Sequence, residues 1–388
     1  MENKGEKLIQ LIGNEVCGGT LSFRTDSPLT DELLFELHLM SKAHDVSHIV
    51  GSALINNGLV AGRAAEKFFR DSIYFTAFRY ENLQFVLDKV CGVLENAKIP
   101  YIPLKGAVIK ELYPEPWMRT GCDIDILVHE EDVENAAGII TESLGYEHKG
   151  RGKHDIQILS TENIYVELHF SLLEEDASPE IAKVLEKAWD YAKPSEDGSY
   201  RYELSDAMFY FYHIAHMAKH FLGGGCGIRP FLDLWLMRKS KNYDTSEMNA
   251  LLRKGHLSDF AKTAKRLSDV WFSGEEHNRI TLLMEEFILN GGCFGSRETK
   301  MLSEQQKAGG RRRHILSRIF IPYEDLKLQY PVIKKYKFLT PVCEICRLCS
   351  LLFGKKRKFR KNYIGKLNGV SEKNYADISF LFESVGLS

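Results

Sequence analysis

The spacing of apolar residues changes twice along the chain. Between residues 30 and 99 apolar side chains recur every three or four positions, as in Asp31-Glu32-Leu33-Leu34-Phe35-Glu36-Leu37 and again over residues 80–94, with few helix breakers. This predicts a helical N-terminal cap over residues 1–99. From residue 100 to 170 short apolar runs at 101–104, 123–128, 154–159 and 164–170 alternate with helical stretches at 107–112 and 131–144, which predicts a compact α/β unit over residues 100–177. Helical periods return at 181–191, 206–221 and 231–238 and continue to about Leu289, with no further strand-rich stretch. A helical region over residues 178–300 is therefore expected, followed by a basic, helical C-terminal region over 301–388 that is punctuated by Pro322, Pro331 and Pro341. The expected fold class is α+β, a small mixed sheet between helical N-terminal and C-terminal regions. No internal repeat is found.

Composition narrows the function classes. The 388 residues are 44% hydrophobic and carry a formal net charge of -2, with 27% charged residues, so neither disorder nor a global attraction to nucleic acid or membrane is indicated. No apolar run reaches the roughly 20 residues of a spanning helix, so no membrane insertion is expected. Eight cysteines are scattered, with three of them close together at Cys343, Cys346 and Cys349, and no secretory leader precedes them. Reduced thiols and a cytoplasmic location follow as expectations.

The chemistry concentrates in Asp123-Ile124-Asp125, within the apolar run at 123–128. Side chains two apart on a strand leave the same face. At about 6 Å and an effective dielectric of about 20 two such charges repel by roughly 3 kcal/mol, a cost that calls for compensation. A divalent cation would compensate it. Downstream, Ile164-Tyr165-Val166-Glu167-Leu168-His169-Phe170 again sets an acid, Glu167, between apolar neighbours, so three carboxylates are placed to converge.

The ordered set Leu104-Lys105-Gly106, Arg119, Asp123-Ile124-Asp125 and Glu167-Leu168-His169 resembles the nucleotidyltransferase superfamily with a DNA polymerase β-like core, and in particular its poorly characterised bacterial branch. The resemblance runs from about His44 into the C-terminal third and is strongest between Pro103 and Phe170. It implies transfer of a nucleoside monophosphate from an NTP donor to an acceptor hydroxyl, with release of pyrophosphate. It also implies two magnesium ions (Mg2+), with Asp123 and Asp125 bridging them and Glu167 completing the one that activates the hydroxyl. Nucleotide-binding roles are implied for Lys105, Gly106, Arg119, His169, His216, Lys219 and His220. The superfamily usually has Gly-Ser or Gly-Gly at the turn, so Lys105-Gly106-Ala107 departs from it and no serine contact to phosphate is carried over. His216-Met217-Ala218-Lys219-His220 is one residue shorter than the branch's His-x-x-x-Lys-His pattern and is followed, as there, by Arg229 and Asp233.

Each of these residues also has a plain structural reading. Gly106 after a strand and before a helix suits an anion at the turn, and Lys105 is equally a solvated lysine at a helix start. Arg119 offers a planar fork to phosphate or pairs with Asp123 or Asp125. His169 shares the strand face of Glu167 and suits a supporting role, and His154 and Asp155 open the preceding strand. His213, His216 and His220 fall on one helical face, which suits a cleft wall, an amphipathic helix or zinc, although no familiar ligand spacing completes a zinc site. The three clustered cysteines lack a fourth ligand and read as small, partly buried core residues. The basic runs at Arg311-Arg312-Arg313-His314 and Lys355-Lys356-Arg357-Lys358 read as solvated surface or as contacts to RNA phosphates.

The function expected is a magnesium-dependent nucleotidyltransferase whose acceptor is a small molecule, a protein or RNA. A catalytically inactive nucleotide- or RNA-binding protein with the same fold is the alternative. A metal-dependent phosphohydrolase built on the histidine stripe is a third class, weakened by the missing His-Asp pairing.

Overall fold

Five strands make the sheet that carries the acids. They are β1 (Tyr101–Pro103), β2 (Asp123–Val128), β3 (Glu147–Arg151), β4 (Asp155–Leu159) and β5 (Tyr165–His169), in the spatial order β1-β2-β5-β4-β3. The pairing of β2 with β5 is parallel and the other three pairings are antiparallel, so the sheet is mixed, as expected. The computed structural model describes residues 4–24, 29–119, 121–172, 177–195, 199–240, 244–353 and 372–387.

Alternation along β2 sorts its side chains between two cores. Ile124, Ile126 and Val128 join Val166 and Leu168 of β5 and Ile156 and Ile158 of β4 on one face. That face is covered by Val86, Leu87, Val90 and Leu94 of the long helix Ala64–Asn96 and by Val133, Ala136, Ala137 and Ile140 of the helix Val133–Leu144. The other face presents Asp123, Asp125 and Leu127, and Leu127 packs into the larger helical core. A one-residue slip of β2 would exchange the faces, costing roughly 5 kcal/mol or more for the three aliphatic side chains alone, so apolar burial holds the acids where they are.

The larger core joins segments far apart in the sequence. It includes Leu8, Leu34 and Ile49 from N-terminal helices, Phe211 and Phe221 from the helix Asp206–Leu222, Phe231 from the helix Arg229–Ser240, and Phe382 from the helix Glu372–Ser384. Ser205 caps the helix Asp206–Leu222 by accepting from the Met208 amide. This helix and the helix Arg229–Ser240 thereby reach the acid-bearing side of the sheet.

Three local features differ from the sequence reading. β3, Glu147-His148-Lys149-Gly150-Arg151, is an edge strand with a bulge between His148 and Gly150; being wholly polar it carries no apolar period to detect. A two-stranded ribbon, β6 (Ala192–Pro194) with β7 (Tyr202–Leu204), lies in the region read as purely helical. In the helix Thr340–Phe353 Cys343 is buried, whereas Cys346 and Cys349 are exposed rather than partly buried. Steps of three residues rotate 300° on a helix, so only the first of the three meets the small cluster of Leu326 and Ile333. Of the basic runs, Arg311-Arg312-Arg313-His314 opens the helix Arg311–Ile319, with His314 buried beside Glu304, and Lys355 to Lys358 lies outside the described residues. No helix among the described residues is long and apolar enough to cross a membrane.

Candidate active site

Parallel pairing sets Asp125 directly across from Glu167, and Leu127 across from His169, so carboxylates from two adjacent strands stand on one face. Asp125 is buried and accepts from Lys105 Nζ at 2.8 Å and from His169 Nε2 at 2.8 Å. The same imidazole nitrogen lies 3.5 Å from Glu167 Oε2. Donor atoms of Asp125, Glu167 and His169 all lie within 4.8 Å of one another, and among the described residues this is the one such group of three metal-competent side chains. Asp123 stands two residues earlier, at the open start of β2.

The electrostatics separate the two aspartates. Burial opposes ionisation of Asp125, but the Lys105 charge and the His169 hydrogen bond outweigh it and hold its carboxyl well below the usual carboxylate range. Asp123 is pushed the other way, by desolvation from the protein mass crowding the mouth and then by the Asp125 charge. His169 is desolvated, which disfavours its charge, yet its bonds to Asp125 and Glu167 raise its pKa to about 8. Protonated at neutral pH, His169 donates to Asp125 and supplies positive charge between the acids, together with Lys105.

A stability prediction follows from the sign of that shift. The His169 pKa rises from an ordinary 6.5 to about 8, so its stabilisation is complete below pH 6.5 and is lost as pH rises through 8. In chelated buffer His169→Gln should therefore lie about 2 kcal/mol below the parent protein at acidic pH, with the gap closing as the solution turns alkaline. Denaturant melts across the pH range measure it. A gap that does not change with pH would contradict the assignment.

The turn after β1 is strained. Lys105 has φ 45° and ψ −118°, a conformation that non-glycine residues rarely adopt, and it aims its ammonium at Asp125. Burial opposes its charge, but the nearby Tyr212 phenol and the Asp125 carboxylate raise its pKa. Gly106 opens a helix of only four residues, Gly106–Ile109, in which the amides of Ala107, Val108 and Ile109 already bond to the carbonyls of Leu104 and Lys105. The sequence reading expected backbone amides and a helix dipole to face an anion here. In the structure those three amides are engaged and the helix is too short for much of a dipole, which shifts the weight to side chains. A Cβ at Gly106 would stand 3.4 Å from Arg119 Nη1, an ordinary contact, so the turn and the guanidinium are neighbours in the cleft.

Arg119 pairs with Asp233, not with Asp123 or Asp125. Its Nε lies 2.8 and 3.0 Å from the two Asp233 oxygens. The Tyr113 hydroxyl donates to the same carboxylate at 2.7 Å, and Asp233 is fully buried. This pairing ties the helix Arg229–Ser240 to the segment before β2. Arg229, from the same helix, bonds to Asp45 at 2.6 Å.

The histidine stripe divides. His213 Nε2 turns to the Pro230 carbonyl at 2.9 Å and ties two helices together. His216 and His220 stack edge to face with their Nε2 atoms 3.2 Å apart. Desolvation, reinforced by Lys105 for His216 and by Lys219 and Lys105 for His220, lowers both pKa values, His220 to about 4, so the pair is neutral.

Two adjoining cavities receive all ten residues to which the resemblance gave metal- or nucleotide-binding roles. The larger, about 520 Å³, is lined by Lys105, Gly106, Arg119, Asp123, Asp125, His216 and His220, together with Lys42 and Arg229. The smaller, about 210 Å³, shares Lys105, Asp123, His216 and His220 and adds Glu167, His169 and Lys219. A family model described as an uncharacterised nucleotidyltransferase matches residues 36–273. The chain belongs to this family. A search of curated proteins and a search of solved structures each found no match.

The nucleotidyltransferase cleft also contains residues that the sequence reading missed. Tyr212 is buried beside Lys105, and Lys42 and Asp45 reach the larger cavity from the N-terminal region. Tyr212 lies four residues before His216, on the same helix face, and that spacing was the available signal. Nothing local marks Lys42 or Asp45. As a donor set, the carboxylates of Asp125 and Glu167 suit a hard divalent cation, with His169 as a nitrogen alternative once it is deprotonated, while Asp123 lies outside this close group at the start of β2.

Proposed function

We propose that this nucleotidyltransferase moves a nucleoside monophosphate from an NTP to an acceptor hydroxyl in a magnesium-dependent reaction that releases pyrophosphate. The observation that carries the reading is the registration of Asp125 against Glu167 on parallel strands, with Asp125 on the cavity walled by Lys105, Arg119 and Arg229 and Glu167 on the smaller one that adjoins it at Lys105.

Asp123, Asp125 and Glu167 would hold the cations, which when bound supply Lewis acidity at the α-phosphoryl group and ease deprotonation of the acceptor. Lys105 and Arg229 would set positive charge against the phosphate oxygens, with Arg119 oriented behind them by Asp233. His216 and His220, being neutral, would hydrogen-bond the nucleotide without adding charge. The acceptor oxygen forms a bond to the α-phosphorus, its proton goes to a Glu167 carboxylate oxygen, and the bond to the β-phosphoryl bridging oxygen breaks with its electron pair leaving on pyrophosphate.

The test is incubation with magnesium and each α-labelled NTP in the presence of cell RNA, protein or small-molecule extract, scoring labelled product and released pyrophosphate. Transfer that chelator abolishes supports the reading. Tight NTP binding with no pyrophosphate release in any fraction would instead favour an inactive nucleotide-binding protein.

Lys219 offers a narrower check. It lines the smaller cavity, and desolvation and then the Lys105 charge lower its pKa, against the pull of Glu167. Because the smaller cavity meets the larger at Lys105 and Asp123, Lys219 would reach the donor's α-phosphoryl oxygens from the acceptor side. Lys219→Ala should raise the apparent KM for NTP by about tenfold, equivalent to one lost charge-assisted contact, and leave the melting temperature nearly unchanged. An unaltered NTP dependence would remove Lys219 from donor binding.

A further inference from the structure

Beside the catalytic cleft a third cavity, of about 300 Å³, opens between the helices Pro179–Leu185 and Asp206–Leu222, with the chain's last described residues against it. Its walls are largely apolar, among them Leu172, Ile181, Ala215, Leu222, Leu257 and Leu387. Leu172, Tyr212, His216 and Lys219 line both this cavity and the polar 210 Å³ cavity that holds Glu167, so the two adjoin along one face of the helix Asp206–Leu222.

The order of the three cavities has a chemical meaning under the nucleotidyl-transfer reading, on which this inference rests. Displacement at phosphorus is in line, so the attacking hydroxyl and the departing pyrophosphate occupy opposite sides of the α-phosphorus. Lys42, Gly106, Arg119 and Arg229 line only the large cavity, whereas Glu167, His169 and Ser171 line the small polar one and not the large one. Lys105 and Asp123 line both and so mark the position between them. With the triphosphate among the cations of the large cavity, the acceptor enters from the Glu167 side, where the apolar cavity adjoins the small polar one. We propose that this cavity is the acceptor subsite, and that the acceptor is a small alcohol with its hydroxyl at Glu167 and an apolar body of roughly a dozen non-hydrogen atoms in the pocket.

An RNA 3′ end fits this path poorly. A polynucleotide needs a row of cations along its backbone, whereas among the described residues the two cavities on the acceptor side are lined by Lys105 and Lys219 as their lysines and by no arginine. A chain that continued beyond the terminal nucleotide would also have to cross the apolar walls.

Ala215→Leu fills the pocket from the helix, and Leu387→Trp fills it from the C-terminal end, where a larger side chain is least able to disturb folding. The probes are phenylalkanols of increasing chain length together with the low-molecular-weight filtrate of a cell extract, offered with magnesium and α-labelled NTP. The expected result is labelled small-molecule product, competitive inhibition by a phenylalkanol against the filtrate acceptor, and at least one folded variant with an acceptor KM raised about tenfold or more while NTP affinity stays within about twofold. Label that enters RNA or protein and spares the filtrate would overturn the acceptor assignment and leave nucleotidyl transfer standing. So would two folded variants with unchanged acceptor KM. Absence of both NTP binding and pyrophosphate release would instead overturn the nucleotidyl-transfer reading beneath it.

Discussion

Asp123→Asn and Asp125→Asn are each expected to lower the rate of nucleotidyl transfer by about a thousandfold or more, since each removes a carboxylate from the proposed metal-binding set and a loss of about 4 kcal/mol in transition-state stabilisation corresponds to three orders of magnitude. Their effects on stability should have opposite signs. Desolvation and then the Asp125 charge disfavour the Asp123 carboxylate, so its replacement by an amide should leave the melting temperature unchanged or higher. Asp125 instead anchors Lys105 and His169, both at 2.8 Å. Removing its charge leaves two cations partly buried without their counter-charge, at a cost of about 3 kcal/mol. The sequence alone suggested repulsion relief for both, because it shows the acids and not the cations folded against one of them. Thermal melts of the two purified variants, run beside label transfer from α-labelled NTP, measure both effects. Activity in either variant within tenfold of the parent, or the reverse order of stabilities, would contradict the account.

The second large effect is expected at Asp233. It is fully buried, accepts from Arg119 and from Tyr113, and its carboxyl stays ionised because the Arg119 charge overcomes the cost of burial. Asp233→Ala leaves a guanidinium and a phenol without their acceptor, which should cost about 3–5 kcal/mol. Arg119 would also lose the two bonds that orient its guanidinium beside Gly106. Replacing the pair by Arg119→Met with Asp233→Leu should restore part of the stability, the Tyr113 hydroxyl still lacking its acceptor, without restoring NTP affinity, because an apolar pair of similar volume fills the site and offers nothing to phosphate. Denaturant unfolding and NTP titration of the single and double variants separate the two roles. A double variant that binds NTP normally would reduce Arg119 to a structural residue.

How much of this was legible beforehand depended on the range of the interactions. The alternation in β2 and β5 is a local pattern, and it put Asp123 and Asp125 on one strand face and Glu167 in the same setting on a second strand, while the Lys105-Gly106 turn was read from its place between an apolar run and a helical one. The mixed sheet was legible for the same reason, save β3, whose Glu-His-Lys-Gly-Arg run has no apolar period because it is a solvated edge. Partners across long loops were not legible. That Arg119 would meet Asp233 rather than the nearer aspartates depends on how the helix Arg229–Ser240 docks, which is set by Phe231, Leu232 and Leu234 in a core shared with the N-terminal helices. Equal spacing likewise hid the division of the histidine stripe. His213 and His216 differ in what lies opposite them, a carbonyl at Pro230 for the first and the cleft for the second. Tyr212 was overlooked because an aromatic residue in an apolar helix reads as core, and it is core, with its hydroxyl end at Lys105.

The central claim is that Asp123, Asp125 and Glu167 together bind a divalent cation at the point where the NTP donor reacts. Crystals soaked with manganese and a nonhydrolysable NTP, with diffraction collected to locate the metal by its anomalous scattering, test it most directly. The account predicts a peak within coordination distance of the three carboxylates and of the nucleotide's α-phosphate, with His169 displaced from Asp125 or deprotonated. A nucleotide bound in the cleft with manganese elsewhere, at His216 and His220 or on the phosphates alone, would contradict it.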